Sequence, residues 1–145
     1  MLSRRKAEPF LAENAVVIAA DTVVALGDRI LGKPQDAADA ARMLGKLSGT
    51  THRVISGVAL LWGEREAVDF DVTGVRFAEM SKSEIDWYVA SGEPSDKAGA
   101  YAVQGLASMF IKGLDGDYFN VVGLPVYKLN TLTREYLNCN LNELS

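Results

Sequence analysis

The tightest constraint on the fold lies between Val16 and Pro34, VVIAADTVVALGDRILGKP. Val16, Val17 and Ile18 form an apolar run that reads as a buried strand, and Val23 to Leu26 resume it before a Gly27-Asp28 turn. Asp21 and Thr22 stand in the middle. A carboxylate and a hydroxyl inside an apolar run are expensive to bury without a partner. A metal, a water, a lysine or a substrate should therefore face them. Lys33, between Gly32 and Pro34, is near enough for a backbone bend to turn its ammonium back toward Asp21. The same pattern also suits a plain structural role, in which Asp21 caps or hydrogen-bonds a neighbouring loop.

A chain of 145 residues fits one domain and buries roughly 70% of its unfolded surface, so it needs no disulfides to fold. The single cysteine, Cys139, rules out an intrachain disulfide and fits a reducing compartment; the single histidine, His52, rules out a multi-histidine zinc site. A net charge of −4 argues against binding nucleic acid polymers or anionic membranes, while leaving room for a local basic pocket. No apolar run approaches the roughly 20 residues of a membrane span. The basic stretch from Met1 to Lys6 is followed by no signal-peptide core, so the expected location is cytoplasmic.

Residues 2–13 read as a short helix. Asp36 is placed to cap a helix running through Leu47, with Ala37, Ala40, Ala41, Leu44 and Leu47 on one face and Gly49 as its left-handed stop. Residues 51–62 read as a strand with Gly57 at a bulge or close approach. After a Gly63-Glu64 turn, residues 67–77 form its partner, in which Val68, Phe70 and Val72 alternate with Asp69, Asp71 and Thr73. His52 is expected to be structural or solvated. Residues 81–91 carry the clearest helix signals: a Ser81/Glu84 capping box, a Met80/Ile85 staple, a face of Ile85, Tyr88 and Val89, and a Gly92 stop. The segment EPSDKAGAYAVQG, residues 93–105, combines small residues with Asp96, Lys97, Tyr101 and Gln104 as polar handles, which suits a binding loop. Residues 108–113 read as a strand and residues 116–120 as a turn. A last helix starts at Gly123-Leu124-Pro125, with a mixed face of Leu124, Tyr127, Lys128, Thr131, Leu132 and Glu135, and the polar NCNLNELS terminus is expected to fray.

Four segments in order, ADTVV at 20–24, ILGKP at 30–34, GEPSDKAGAYAVQG at 92–105 and GDYFNVVGLP at 116–125, resemble the Maf family of nucleoside triphosphate pyrophosphatases. The resemblance implies an α/β fold similar to the inosine triphosphate pyrophosphatases, a long mixed sheet flanked by helices with a cleft between two lobes. It implies hydrolysis of dTTP or UTP to the monophosphate and pyrophosphate, with a divalent cation, Mg2+ or Mn2+. By position, Asp21 matches the catalytic proton acceptor and metal-side carboxylate. Thr22 and Gln104 match positions tied to base selection, and Lys6, Lys33 and Lys97, with Asp96, match the cleft lining. The family's opening strand–helix–strand, with its Ser-x-Ser-x-Arg-Arg phosphate loop, has no counterpart in residues 1–145. The resemblance therefore implies a single domain incomplete at its N-terminus, with impaired turnover and a sheet edge or apolar face that could pair two copies as a homodimer. The alternative is a nucleotide-binding or cell-division regulatory Maf-like protein without full activity.

Overall fold

A computed structural model describes residues 16–144. The helix expected over residues 2–13 and the candidate Lys6 lie outside the described residues. The apolar run at the centre of the sequence forms β1 (Val16–Leu26), which passes through Asp21 and Thr22 without a break. Gly27, at φ 56°, takes the left-handed conformation that reverses the chain into β2 (Arg29–Leu31). β3 (Thr51–Trp62) and β4 (Arg65–Phe77) form a long hairpin, and β5 (Ile111–Asp115) completes the order β2-β1-β3-β4-β5. Every described pairing is antiparallel, so the mixed character expected of the sheet has no counterpart among these residues. Among the described residues four α-helices accompany the sheet: α1 (Ala37–Leu47), α2 (Lys82–Ala90), α3 (Tyr118–Val122) and α4 (Val126–Leu137).

The starts of α1 and α2 are made by the side chains that the sequence indicated. The Asp36 carboxylate accepts from Asp39 N–H, and Ser81 and Glu84 satisfy each other's backbone in a reciprocal box. α1 buries Ala40, Leu44 and Leu47; Ala37, at its start, is exposed. In α2 only Tyr88 is fully buried, Ile85 and Val89 packing at the margin.

Because side chains alternate along a strand, the sheet has two distinct faces. Thr22, Val24, Val54, Ser56, Thr73 and Val75 share one; Asp21, Val23, Ile55, Phe70 and Val72 share the other. The first face is covered in two places. Leu44, Leu47, Val54, Val75, Tyr88 and Phe110 belong to a large core under α1 and α2, while Val58, Leu60 and Ala67 pack with Leu129 and Leu132 of α4 in a smaller one. The alternation in β4 is present, but its apolar set is the exposed one: Phe70 is 56% accessible and Thr73 is fully buried. Thr73 tolerates burial because its hydroxyl donates to Asp117 O at 2.9 Å and accepts from Asn120 Nδ2 at 3.0 Å.

Several local expectations are corrected. Val16 and Ile18 are substantially exposed. The register runs unbroken through Gly57, between Asp21 and Phe70, and the sheet's irregularity falls instead at Arg76/Phe77. The strand expected over residues 108–113 starts later, since Leu106–Phe110 forms a 3-10 turn before β5. The turn at residues 116–120 becomes α3, because the Asp117 carboxylate accepts from Phe119 N–H and caps it. α4 buries Leu129, Leu132 and Thr133, whereas Tyr127 is 80% accessible, so the inward face is turned relative to the expected one. The C-terminal segment is tied down: Leu141 N–H donates to Asn130 Oδ1 at 2.9 Å, Arg134 Nε donates to Asn140 Oδ1 at 2.6 Å, and Leu141 packs on the smaller core.

Candidate nucleotide site

A cavity of about 240 Å³ opens on the covered face, walled by β1, β3, the loop of residues 96–104 and α3. Thr22, Asp96, Lys97 and Gln104, four residues singled out from the sequence, all line it, together with Val24, Val54, Val121 and Val122. At this size it is smaller than the roughly 300–1,000 Å³ of pockets that enclose a whole ligand, so it has room for part of one.

The loop that carries three of these residues is pinned from below. Tyr88 OH donates to Glu93 Oε2 and accepts from Ala102 N–H at 3.1 Å, while Leu106 N–H donates to Glu93 Oε1 at 3.0 Å. Burial and the adjacent carboxylate both push the Tyr88 phenol above its ordinary range, so it stays a donor at neutral pH. Gly105 abuts the Glu93 carboxylate so closely that a Cβ there would overlap it. At the other end of the loop, Gly99 is at φ 72° and sits against Val24, and its N–H donates to Gly32 O at 3.1 Å. That bond joins the loop of Lys97 to the arm of Lys33. Lys33 itself is exposed and does not line the cavity. Asp96 and Lys97 face each other at 3.4 Å in a solvated pair, which holds neither tightly.

Tyr101, expected as a handle for a ligand, belongs to the wall instead. Its hydroxyl lies 2.7 Å from His52 Nε2, and Phe77 packs edge-on against both rings. Burial alone lowers the His52 pKa to about 4, so the imidazole is neutral and structural at pH 7.

Asp21 takes a different place from Thr22. Adjacent residues of a strand point to opposite faces, so the Asp21 side chain leaves on the face away from the cavity, opposite Gly57. β2 pairs with β1 only from Val24 to Leu26, and the chain leaving it at Gly32 and Lys33 runs toward the level of Asp21 and Thr22.

Among the described residues no three His, Cys, Asp or Glu side chains come together. Mg2+ is commonly bound through one or two carboxylates plus phosphate oxygens, and Asp21 is the carboxylate among the expected site residues that could serve in that way.

The residues missed from the sequence are those that hold Thr22 in place. Thr22 Oγ1 lies 2.7 Å from Ser56 Oγ, and Ser56 Oγ donates to Asn120 O at 2.8 Å. Asn120 Nδ2 in turn donates to Val54 O and Thr73 Oγ1, both at 3.0 Å. Ser56 interrupts the apolar stretch of β3 as Thr22 interrupts that of β1, and that parallel was the available signal.

The family model "Maf-like protein" matches residues 1–136. The chain is 52% identical over 115 residues to a dTTP/UTP pyrophosphatase of Symbiobacterium thermophilum, covering 79% of this chain and 59% of that protein. It is 52% identical over 128 residues to one from Alkaliphilus oremlandii, covering 87% and 66%. It is 49% identical over 138 residues to one from Anaeromyxobacter sp. strain Fw109-5, covering 92% and 66%. The chain thus spans about three-fifths to two-thirds of the length of these curated relatives. With the model matching residues 1–136 of 145, this chain belongs to the Maf-like protein family.

Proposed function

We propose that the chain carries the base-binding side of a nucleoside triphosphate pyrophosphatase acting on dTTP and UTP. The observation that supports this most is the convergence of Thr22, Asp96, Lys97 and Gln104 on one cavity from two separate stretches of sequence. Relatives at about half identity are named for that activity.

In this reading the pyrimidine lies between Thr22 and Gln104, and the valines of α3 exclude water from its flank. The triphosphate leaves the cavity past Lys97 and crosses the border of β1 beyond the end of β2, where Lys33 and Asp21 meet it. Asp21 orients the attacking water and takes its proton. The water oxygen bonds to the α-phosphorus, the bond to the bridging oxygen breaks, and pyrophosphate departs. The lysines neutralise phosphate oxygens as point charges. A divalent cation, Mg2+ or Mn2+, would be held with Asp21 and would supply further charge neutralisation at the phosphates.

Asp21→Asn keeps the size of the side chain and removes its basicity. Pyrophosphate release from dTTP should fall by about 10²–10⁴-fold while nucleotide binding holds. Near wild-type turnover would return Asp21 to structure, and a diphosphate product with inorganic phosphate would refute the reaction class. Asp21 facing away from the cavity favours a second reading, nucleotide binding without turnover. Binding of dTTP by the unmodified chain with no pyrophosphate release would select it.

A further inference from the structure

The hydrogen-bond chain behind Thr22 has a direction. A hydroxyl has one hydrogen, and a carbonyl oxygen can only accept. Ser56 Oγ uses its hydrogen on Asn120 O, at 2.8 Å. In the 2.7 Å contact between the two hydroxyls, Thr22 must then be the donor. Its hydrogen is spent inward, and only lone pairs remain to face the cavity that Thr22 lines. The chain cannot easily reverse: Ser56 is fully buried, and Asn120 is fixed because its Nδ2 serves Val54 O and Thr73 Oγ1. Gly123 keeps the flank of the hydroxyl open, since a Cβ there would stand 3.6 Å from Thr22 Oγ1.

We infer that Ser56 is a positioning residue for base selection, which makes Thr22 a hydrogen-bond acceptor and so selects a ring N–H donor over a ring-nitrogen acceptor. Resting on the proposed base pocket, this separates uracil and thymine, whose N3 carries hydrogen, from cytosine, whose N3 does not. Gln104 cannot make that distinction unaided, because its amide can turn to offer either a donor or an acceptor. The fixed polarity comes from Thr22, and through it from Ser56.

The test uses the 145-residue chain titrated with UMP and with CMP, followed by NMR shifts of residues lining the cavity. The monophosphates keep turnover out of the measurement. The wild-type chain should prefer UMP by about tenfold or more, as expected when a partly buried acceptor meets another acceptor in CMP. Ser56→Ala frees the Thr22 hydrogen, and the preference should shrink to within about threefold, chiefly because CMP binds better. A merely structural role for Ser56 would weaken both ligands alike. Thr22→Ser should keep the preference and Thr22→Val should lose it, which tests the dependence on the Thr22 hydroxyl even where Ser56→Ala folds poorly. An unchanged ratio in folded Ser56→Ala, or in Thr22→Val, overturns the inference while leaving the pocket assignment intact. Cavity resonances that respond to neither nucleotide overturn the pocket assignment itself, and the inference with it.

Discussion

The two faces of the sheet are built from the same strands and treat polarity in opposite ways. The covered face buries Ser56, Thr73, His52 and the side chain of Asn120 beside Val54, Val58 and Val75. The other face leaves Val68, Phe70 and Val72 substantially exposed. Hydrophobicity alone would have inverted this assignment. What favours it is that Ser56, Thr73 and the Asn120 amide nitrogen find partners, although His52 Nδ1 and Asn120 Oδ1 are buried without one among the described residues, and α1, α2 and α4 all pack on that side. The belt of hydroxyls separates the large core from the small one, and the cavity opens there.

The comparison breaks most sharply at Leu44, which is fully buried under the covered face. Leu44→Ala should cost about 2–5 kcal/mol in urea unfolding, because α1 can close only part of the cavity it leaves. A loss below 1 kcal/mol would show that this core is loosely packed.

An intermediate effect belongs to His52. Its pKa in the fold, about 4, lies below the 6.5 of an exposed imidazole, so between these values the folded chain binds fewer protons than the unfolded one. The stability from neutral burial is complete above pH 6.5 and is lost as the pH falls through 4. From pH 7 to pH 4.5 the wild-type chain should lose about 2–3 kcal/mol more than His52→Gln, which carries no titrating ring. Parallel pH profiles for the two proteins would remove His52 from the pH response.

The smallest effect is expected on the other side. Phe70→Ser removes an exposed ring and should change the unfolding free energy by no more than about 0.5 kcal/mol. A loss above 2 kcal/mol would mean that this face is covered in solution, and analytical ultracentrifugation of both proteins would show whether a second copy covers it.

The elements whose signals are local were legible in the sequence: the Ser81/Glu84 box, the Asp36 cap and the Gly27 and Gly63 turns lie within a few residues of what they control. So were Thr22, Asp96, Lys97 and Gln104 as neighbours, because an ordered set of motifs carried them together. The inward face of β4 was not legible, since it depends on Asn120 and Asp117 reaching Thr73 from more than forty residues away. The role of Tyr101 was hidden for the same reason, its partner His52 being 49 residues distant. The opposed directions of Asp21 and Thr22 follow from β1 running straight through both, where the sequence read them as one polar interruption.

The contact between Gly105 and Glu93 has a consequence for the routes by which this site can change. Gly105, at φ −100° and ψ −149°, lies outside the usual strand and helix regions, and a Cβ there would also meet the Glu93 carboxylate. A methyl group there displaces a carboxylate that accepts from Tyr88 and from Leu106 N–H. Shortening Glu93 makes room for it but abandons both acceptors, and leaves the Tyr88 hydroxyl without a place to donate. Neither single step is neutral, and the double substitution does not restore what the pair provides. The two positions are therefore coupled, and a change at Gly105 is felt through Glu93 by the Tyr88 hydroxyl and the Leu106 N–H.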